Sequence, residues 1–149
     1  MEYTNANQLF AALQKRVNEA MARSRQDALE EMRAETTAYY DNTKPVLYRR
    51  TYKLKNSPRT SNLSSHGDTV SFDAYLDTNY RYPSITYGSQ PPSKSPSLTD
   101  VINLTNYQAS AGSSVGYLHP AIGRPHYWER ANTRMRDRIS RRIRSFFPA

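Results

Sequence analysis

Apolar positions in the first forty residues recur at steps of three and four: Phe10, Leu13, Val17, Ala20/Met21, Ser24, Ala28, Met32 and Tyr39. That period belongs to an α-helix with one inward face, and neither Pro nor Gly interrupts it, so the pattern predicts a helix over residues 5–40. Thr4 and Asn5 supply the side-chain acceptors that cap a helix start. Phe10, Met21 and Met32 are spaced by eleven residues, as are Val17, Ala28 and Tyr39. Such spacing keeps one face nearly in line along a straight helix. The run into Pro45 ends it, because proline disfavours helix at the residue before it. A second helical stripe reads Trp128, Ala131, Met135, Ile139, Ile143 (or Arg142) and Phe146, predicting a helix over 126–147 that starts near Pro125 and ends at Pro148.

Between the helices the period changes to two. Val70, Phe72, Ala74 and Leu76 fall on one face of a strand over 69–77, with Thr69, Ser71, Asp73 and Tyr75 on the other. Tyr80-Arg81-Tyr82 is the expected start of a partner strand, cut short by Pro83, and Ile85-Thr86-Tyr87 is a further β-like piece ended by Gly88. Residues 46–58 read as extended chain or a short helical turn. Ser57 to Asp68, rich in Ser, Asn, Pro and Gly, reads as a loop. Residues 89–123 read as an extended loop, with Pro91 and Pro92 in its Pro/Ser part and Val101, Ile102, Leu104 and Tyr107 as its apolar points. The expected architecture is a single α+β domain over 1–149. Its long N-terminal helix and its C-terminal helix pack on a small antiparallel sheet (46–88), with the long loop inserted.

Composition narrows the chemistry. The 149 residues include no cysteine, which excludes disulfides, thiolate metal sites and cysteine catalysis. No apolar run approaches the ~20 residues of a membrane span, and the first residues lack the pattern of a signal peptide. His66, His119 and His126 have no acidic cluster beside them, so no metal site is expected. Glu30 and Glu31 read as solvated helix surface. No nucleophile motif or Gly-rich phosphate loop is present. The expectation is a protein that is not an enzyme, with no catalytic residues and no cofactor.

The net charge of +8 is concentrated at the end: residues 124–149 carry eight basic and two acidic side chains, against six and seven in 1–44. A basic tail of this kind marks either a polyanion or acidic protein surface nearby, or a solvated helix face. Arg130, Arg134, Arg138, Arg141 and Arg142 are the candidate contacts with DNA or an acidic partner.

Three stretches carry a resemblance. Tyr48 to Ser57, with Arg50, Thr51, Leu54 and Ser57, is similar to an Arg-Thr-x-x-Leu-x-x-Ser motif. The strand Val70 to Leu76 runs on to Tyr80-Arg81-Tyr82 and Gly88. The run Arg124-Pro125-His126-Tyr127-Trp128-Glu129-Arg130-Ala131 resembles an Arg-Pro-aromatic entry to a final helix. Together they resemble the HK97-gp10-like family of tailed bacteriophages, the head–tail joining or tail-completion proteins of the virion neck. That family often has Gly where Tyr52 stands, and its connection in place of 89–123 is shorter. The resemblance implies two helices against a curved sheet and a hexameric ring of identical subunits around a DNA channel. It also implies neighbouring head-connector and tail proteins as partners, a place in the virion, and no membrane. On this reading Pro91, Pro92, Val101, Ile102, Leu104 and Tyr107 reach an adjacent subunit. A tail terminator is the alternative within the virion. A non-specific nucleic-acid-binding protein using the Arg-rich helix is the alternative outside it.

Overall fold

The structure, a computed structural model, describes residues 5–41, 52–79, 102 and 126–147. Among them lie two long helices and four short strands in the order α1 (Ala6–Asp41), β1 (Pro58–Thr60), β2 (Ser64–His66), β3 (Thr69–Ser71), β4 (Ala74–Leu76) and α2 (Tyr127–Phe146). The fold is α+β, with both helices at the predicted places. Asn5 is the N-cap of α1: its Oδ1 accepts the backbone N–H of Gln8 at 2.9 Å.

The β region is one hairpin with a break in it. β1 pairs antiparallel with β4 (Pro58 opposite Leu76) and β2 with β3 (Ser64 opposite Ser71). The Ser61 amide still donates to the Asp73 carbonyl at 2.9 Å, which leaves Asn62 and Leu63 opposite Phe72 alone. That is a β-bulge, the device that bends a strand and increases its twist. The turn between β2 and β3 holds Gly67 at φ 57, a left-handed conformation that glycine adopts without strain. Ser57–Asp68, expected as a loop, therefore contains the partner strands of Thr69–Leu76. Polar residues suffice there because β1 and β2 gain their backbone hydrogen bonds from β3 and β4. Tyr80–Tyr82 and Ile85–Tyr87, expected as partners, lie outside the described residues.

The alternation of 69–76 holds throughout. Val70, Phe72, Ala74 and Leu76 are half-buried, while Thr69, Ser71, Asp73 and Tyr75 are exposed. Phe72 and Ala74 pack on a core formed by Ala28, Met32, Ala131 and Met135, so this one cluster joins both helices to the hairpin. A second cluster of Tyr39, Leu54 and Tyr127 closes the other end, with Tyr40, Leu76, Ile102 and Trp128 packed around it. The Tyr39 and Tyr127 rings meet edge-on at 5.6 Å between centroids. Leu54 sits in a turn held by the hydroxyl of buried Ser57, which donates to the Leu54 carbonyl at 2.7 Å.

The helical stripe of α1 is buried only from Ala20 onward. Leu9 (41% exposed), Phe10 (70%) and Leu13 (39%) stand in solvent. Length explains the difference. α1 has 36 residues and α2 has 20, so they span roughly 54 and 30 Å at 1.5 Å per residue. They run antiparallel, and α2 ends where Phe146 lies under the Arg23 guanidinium, 5.6 Å from the ring centroid. No described helix is long and apolar enough to cross a membrane.

Candidate functional site

The arginine face of α2 is spaced by four: Arg130, Arg134, Arg138 and Arg142. Four-residue spacing keeps side chains on one side of a helix. α1 carries the matching set, Asp27, Glu31 and Glu35, with Glu30 beside it. Antiparallel packing brings the two ladders together into a seam.

At one end, buried Glu35 receives Arg130 Nε at 2.8 Å and Arg134 Nη1 at 3.0 Å, one on each carboxylate oxygen. In the middle, Arg138 reaches Glu31 Oε1 at 2.9 Å, Glu30 Oε2 at 2.7 Å and Asp27 Oδ1 at 3.1 Å. At the far end, Arg142 grips Asp27 through both Nε (2.8 Å) and Nη2 (3.1 Å), the bidentate fork that a planar guanidinium makes with a carboxylate. Arg130, Arg134, Arg138 and Arg142 thus each pair with carboxylates of α1 in their own chain. Glu30 and Glu31, expected as solvated surface, both accept from Arg138. Arg141 lies outside the seam, and with Arg136 and Arg144 it is exposed on α2.

The hydrogen bond from Arg142 holds the Asp27 carboxyl below the usual carboxylate range, against the opposing effect of burial and with help from the Arg138 charge. The Arg138 guanidinium is held more firmly charged by its bond to Glu31, and that of Arg142 by its bond to Asp27. The sign of the acid dependence follows. A carboxyl whose pKa is lower folded than unfolded stabilises the fold above the unfolded value of about 3.9, and that contribution is lost as pH falls through the folded value. Asp27→Asn removes it. In an acid titration followed by circular dichroism, the variant is expected to be less stable than the parent at pH 7. The difference should shrink below about pH 4. A constant difference across that range would refute the assignment.

The remaining sequence-selected residues divide. Leu54, Ser57 and Ala131 are buried and structural. Ile102, expected to contact a neighbouring subunit, packs against the Tyr39–Leu54–Tyr127 cluster of its own chain. Arg50, Thr51, Pro91, Pro92, Val101, Leu104, Tyr107 and Pro125 lie outside the described residues. His126 precedes α2 at φ 58, with Nδ1 at 3.9 Å from Glu129 Oε2, and the Ser64 hydroxyl bonds His66 Nε2 at 2.8 Å. Among the described residues no group of three potential metal ligands comes together.

Sequence reasoning missed Asp27 and Glu35, although the signal was present as two opposite-charge ladders of equal spacing on the two predicted helices. Comparison of the chain with protein families, with curated proteins and with solved structures finds no match.

Proposed function

We propose that this chain is a structural protein of the virion neck in a tailed bacteriophage. In this reading it joins or completes the tail at the head–tail interface, as a ring of identical subunits. The observation that carries the reading is the first third of α1. Leu9, Phe10 and Leu13 hold an apolar stripe in solvent on a helix that runs past the cover of α2. A rigid helix with exposed apolar residues is a surface that a neighbour buries. The resemblance noted in the sequence names that neighbour as another subunit of the ring.

A second observation supports the resemblance itself. Tyr52, at the position where the family often has Gly, stands at φ 56, the left-handed region that glycine favours. The seam also alters how such a protein would meet DNA. With Arg130, Arg134, Arg138 and Arg142 engaged by α1, the charge that α2 presents outward comes chiefly from Arg136, Arg141 and Arg144, with half-exposed Arg134 beside them. Those three residues also define the alternative, a non-specific nucleic-acid-binding module whose affinity falls steeply with salt.

Electron microscopy of a lysate from the parent phage with this gene disrupted tests the reading. Full heads beside separate, finished tails are expected. Tails of irregular length would assign the protein to tail termination. Intact, infectious particles would overturn the neck reading and leave DNA affinity through Arg136, Arg141 and Arg144 as the property to measure.

A further inference from the structure

Arg33 lies two residues from both Glu31 and Glu35, which places it on the opposite side of α1 from the seam. There Arg33, Thr37, Lys55, Asn56 and Arg59 line a concavity of about 360 Å³. Its lining has three cationic side chains, an amide, a hydroxyl and no carboxylate. Two of the cations are positioned by their surroundings. Arg59 Nη1 donates to the Asn56 and Pro58 carbonyls at 2.7 and 2.9 Å, and its Nε lies 4.0 Å from Asp77. Lys55 Nζ stands 5.8 Å from the centroid of the Tyr52 ring.

Asp77 offsets part of the Arg59 charge, but Arg33 and Lys55 meet no carboxylate in the lining, and an entering anion relieves their like charge. The number of donors favours one kind of anion. Arg59 already spends Nη1 on two carbonyls and turns Nε to Asp77, yet the Arg33 guanidinium, the Lys55 ammonium and the Asn56 amide by themselves offer more N–H groups than the roughly four lone-pair sites of a carboxylate accept. Free phosphate carries more charge than a carboxylate and a phosphodiester the same single charge, and both present their oxygens around a tetrahedron, which suits donors arriving from α1 on one side and from residues 55–59 on the other.

We propose that this concavity binds a phosphate group, either a phosphodiester of a nucleic-acid strand or free phosphate. The proposal goes beyond the neck reading and stands without it.

The test is nuclear magnetic resonance of the full chain, following the arginine Nε–H signals and the backbone amides of Lys55, Asn56, Ser57 and Arg59. Inorganic phosphate is titrated against sodium chloride of equal ionic strength, and then a short DNA duplex is added. Saturable shifts confined to the Arg33 and Arg59 Nε–H signals and the amides of Lys55, Asn56, Ser57 and Arg59 are expected with phosphate and not with chloride. Saturation by the duplex alone, with the same residues shifting, also supports the site and names the phosphodiester as its ligand. Arg33→Gln is expected to weaken binding roughly tenfold, the loss of one hydrogen bond to a charged group. Lys55→Gln is a second variant should the first unfold. Shifts that follow ionic strength alone, that spread equally to Arg136, Arg141 and Arg144, or that persist at full affinity in both variants overturn the proposal.

Discussion

Met32→Ala is expected to lower the unfolding free energy by about 2–5 kcal/mol, measured by urea denaturation with an unchanged m-value. Met32 is fully buried where α1, α2 and the hairpin meet. Truncating it removes apolar contact and leaves a cavity. How far the cavity collapses sets the cost within that range. Two of its fellow core residues are Ala28 and Ala131, which have no side chain to swing into the void, so the upper half of the range is expected. Against a total of about 5–15 kcal/mol for a small domain, the loss brings the protein close to unfolding. Met32→Leu, which keeps most of the volume, should cost less than about 1.5 kcal/mol. Phe10→Ala, at an exposed position of the same helix, should stay within about 0.5 kcal/mol. A loss below about 1 kcal/mol for Met32→Ala would mean that this cluster does not hold the three elements together.

Glu35→Ala should destabilise by about 2–3 kcal/mol at neutral pH. The Glu35 side chain is 3% exposed and takes one arginine on each oxygen. Deleting one member of a fully buried ion pair costs about 3–5 kcal/mol, because the other charge is left without its partner. Here the orphaned arginines have some access to water, Arg130 at 21% exposure and Arg134 at 54%, which brings the expected cost below that range. A double-mutant cycle with Arg130→Ala isolates the pair, and a coupling near zero would show that Glu35 acts by packing alone. Glu30→Ala removes a rim carboxylate that is about half exposed, and surface pairs of that kind contribute about 0–1 kcal/mol. The contrast between Glu35 and Glu30 tests whether depth in the seam, rather than the number of ion pairs, decides stability.

Both helices were legible in the sequence because each writes its buried face as a repeat of three and four, and proline marks their limits. The half-buried strand face was legible for the same reason, since Val70, Phe72, Ala74 and Leu76 alternate without a break. The hairpin partner was not. β1 and β2 are polar and contain Pro58, and they are strands only because β3 and β4 satisfy their backbone groups. Nor did the apolar stripe of α1 reveal where burial begins. Phe10 and Met32 look alike in a periodicity, yet one is exposed and the other buried, because α2 covers only part of the longer helix.

Charge divides in the same way. The sequence by itself determined that eight basic residues lie in the last 26, most of them on one helix, and that the chain has no cysteine. Only the tertiary structure decided that four of those arginines face Asp27, Glu30, Glu31 and Glu35. The spacing of each ladder is local, but the antiparallel register that brings residue 35 to residue 130 comes from packing Ala28 and Met32 against Ala131 and Met135. The hollow of Arg33, Lys55 and Arg59 has the same origin. Its members are scattered along the chain, and no sequence period unites residues gathered by the docking of a hairpin onto a helix.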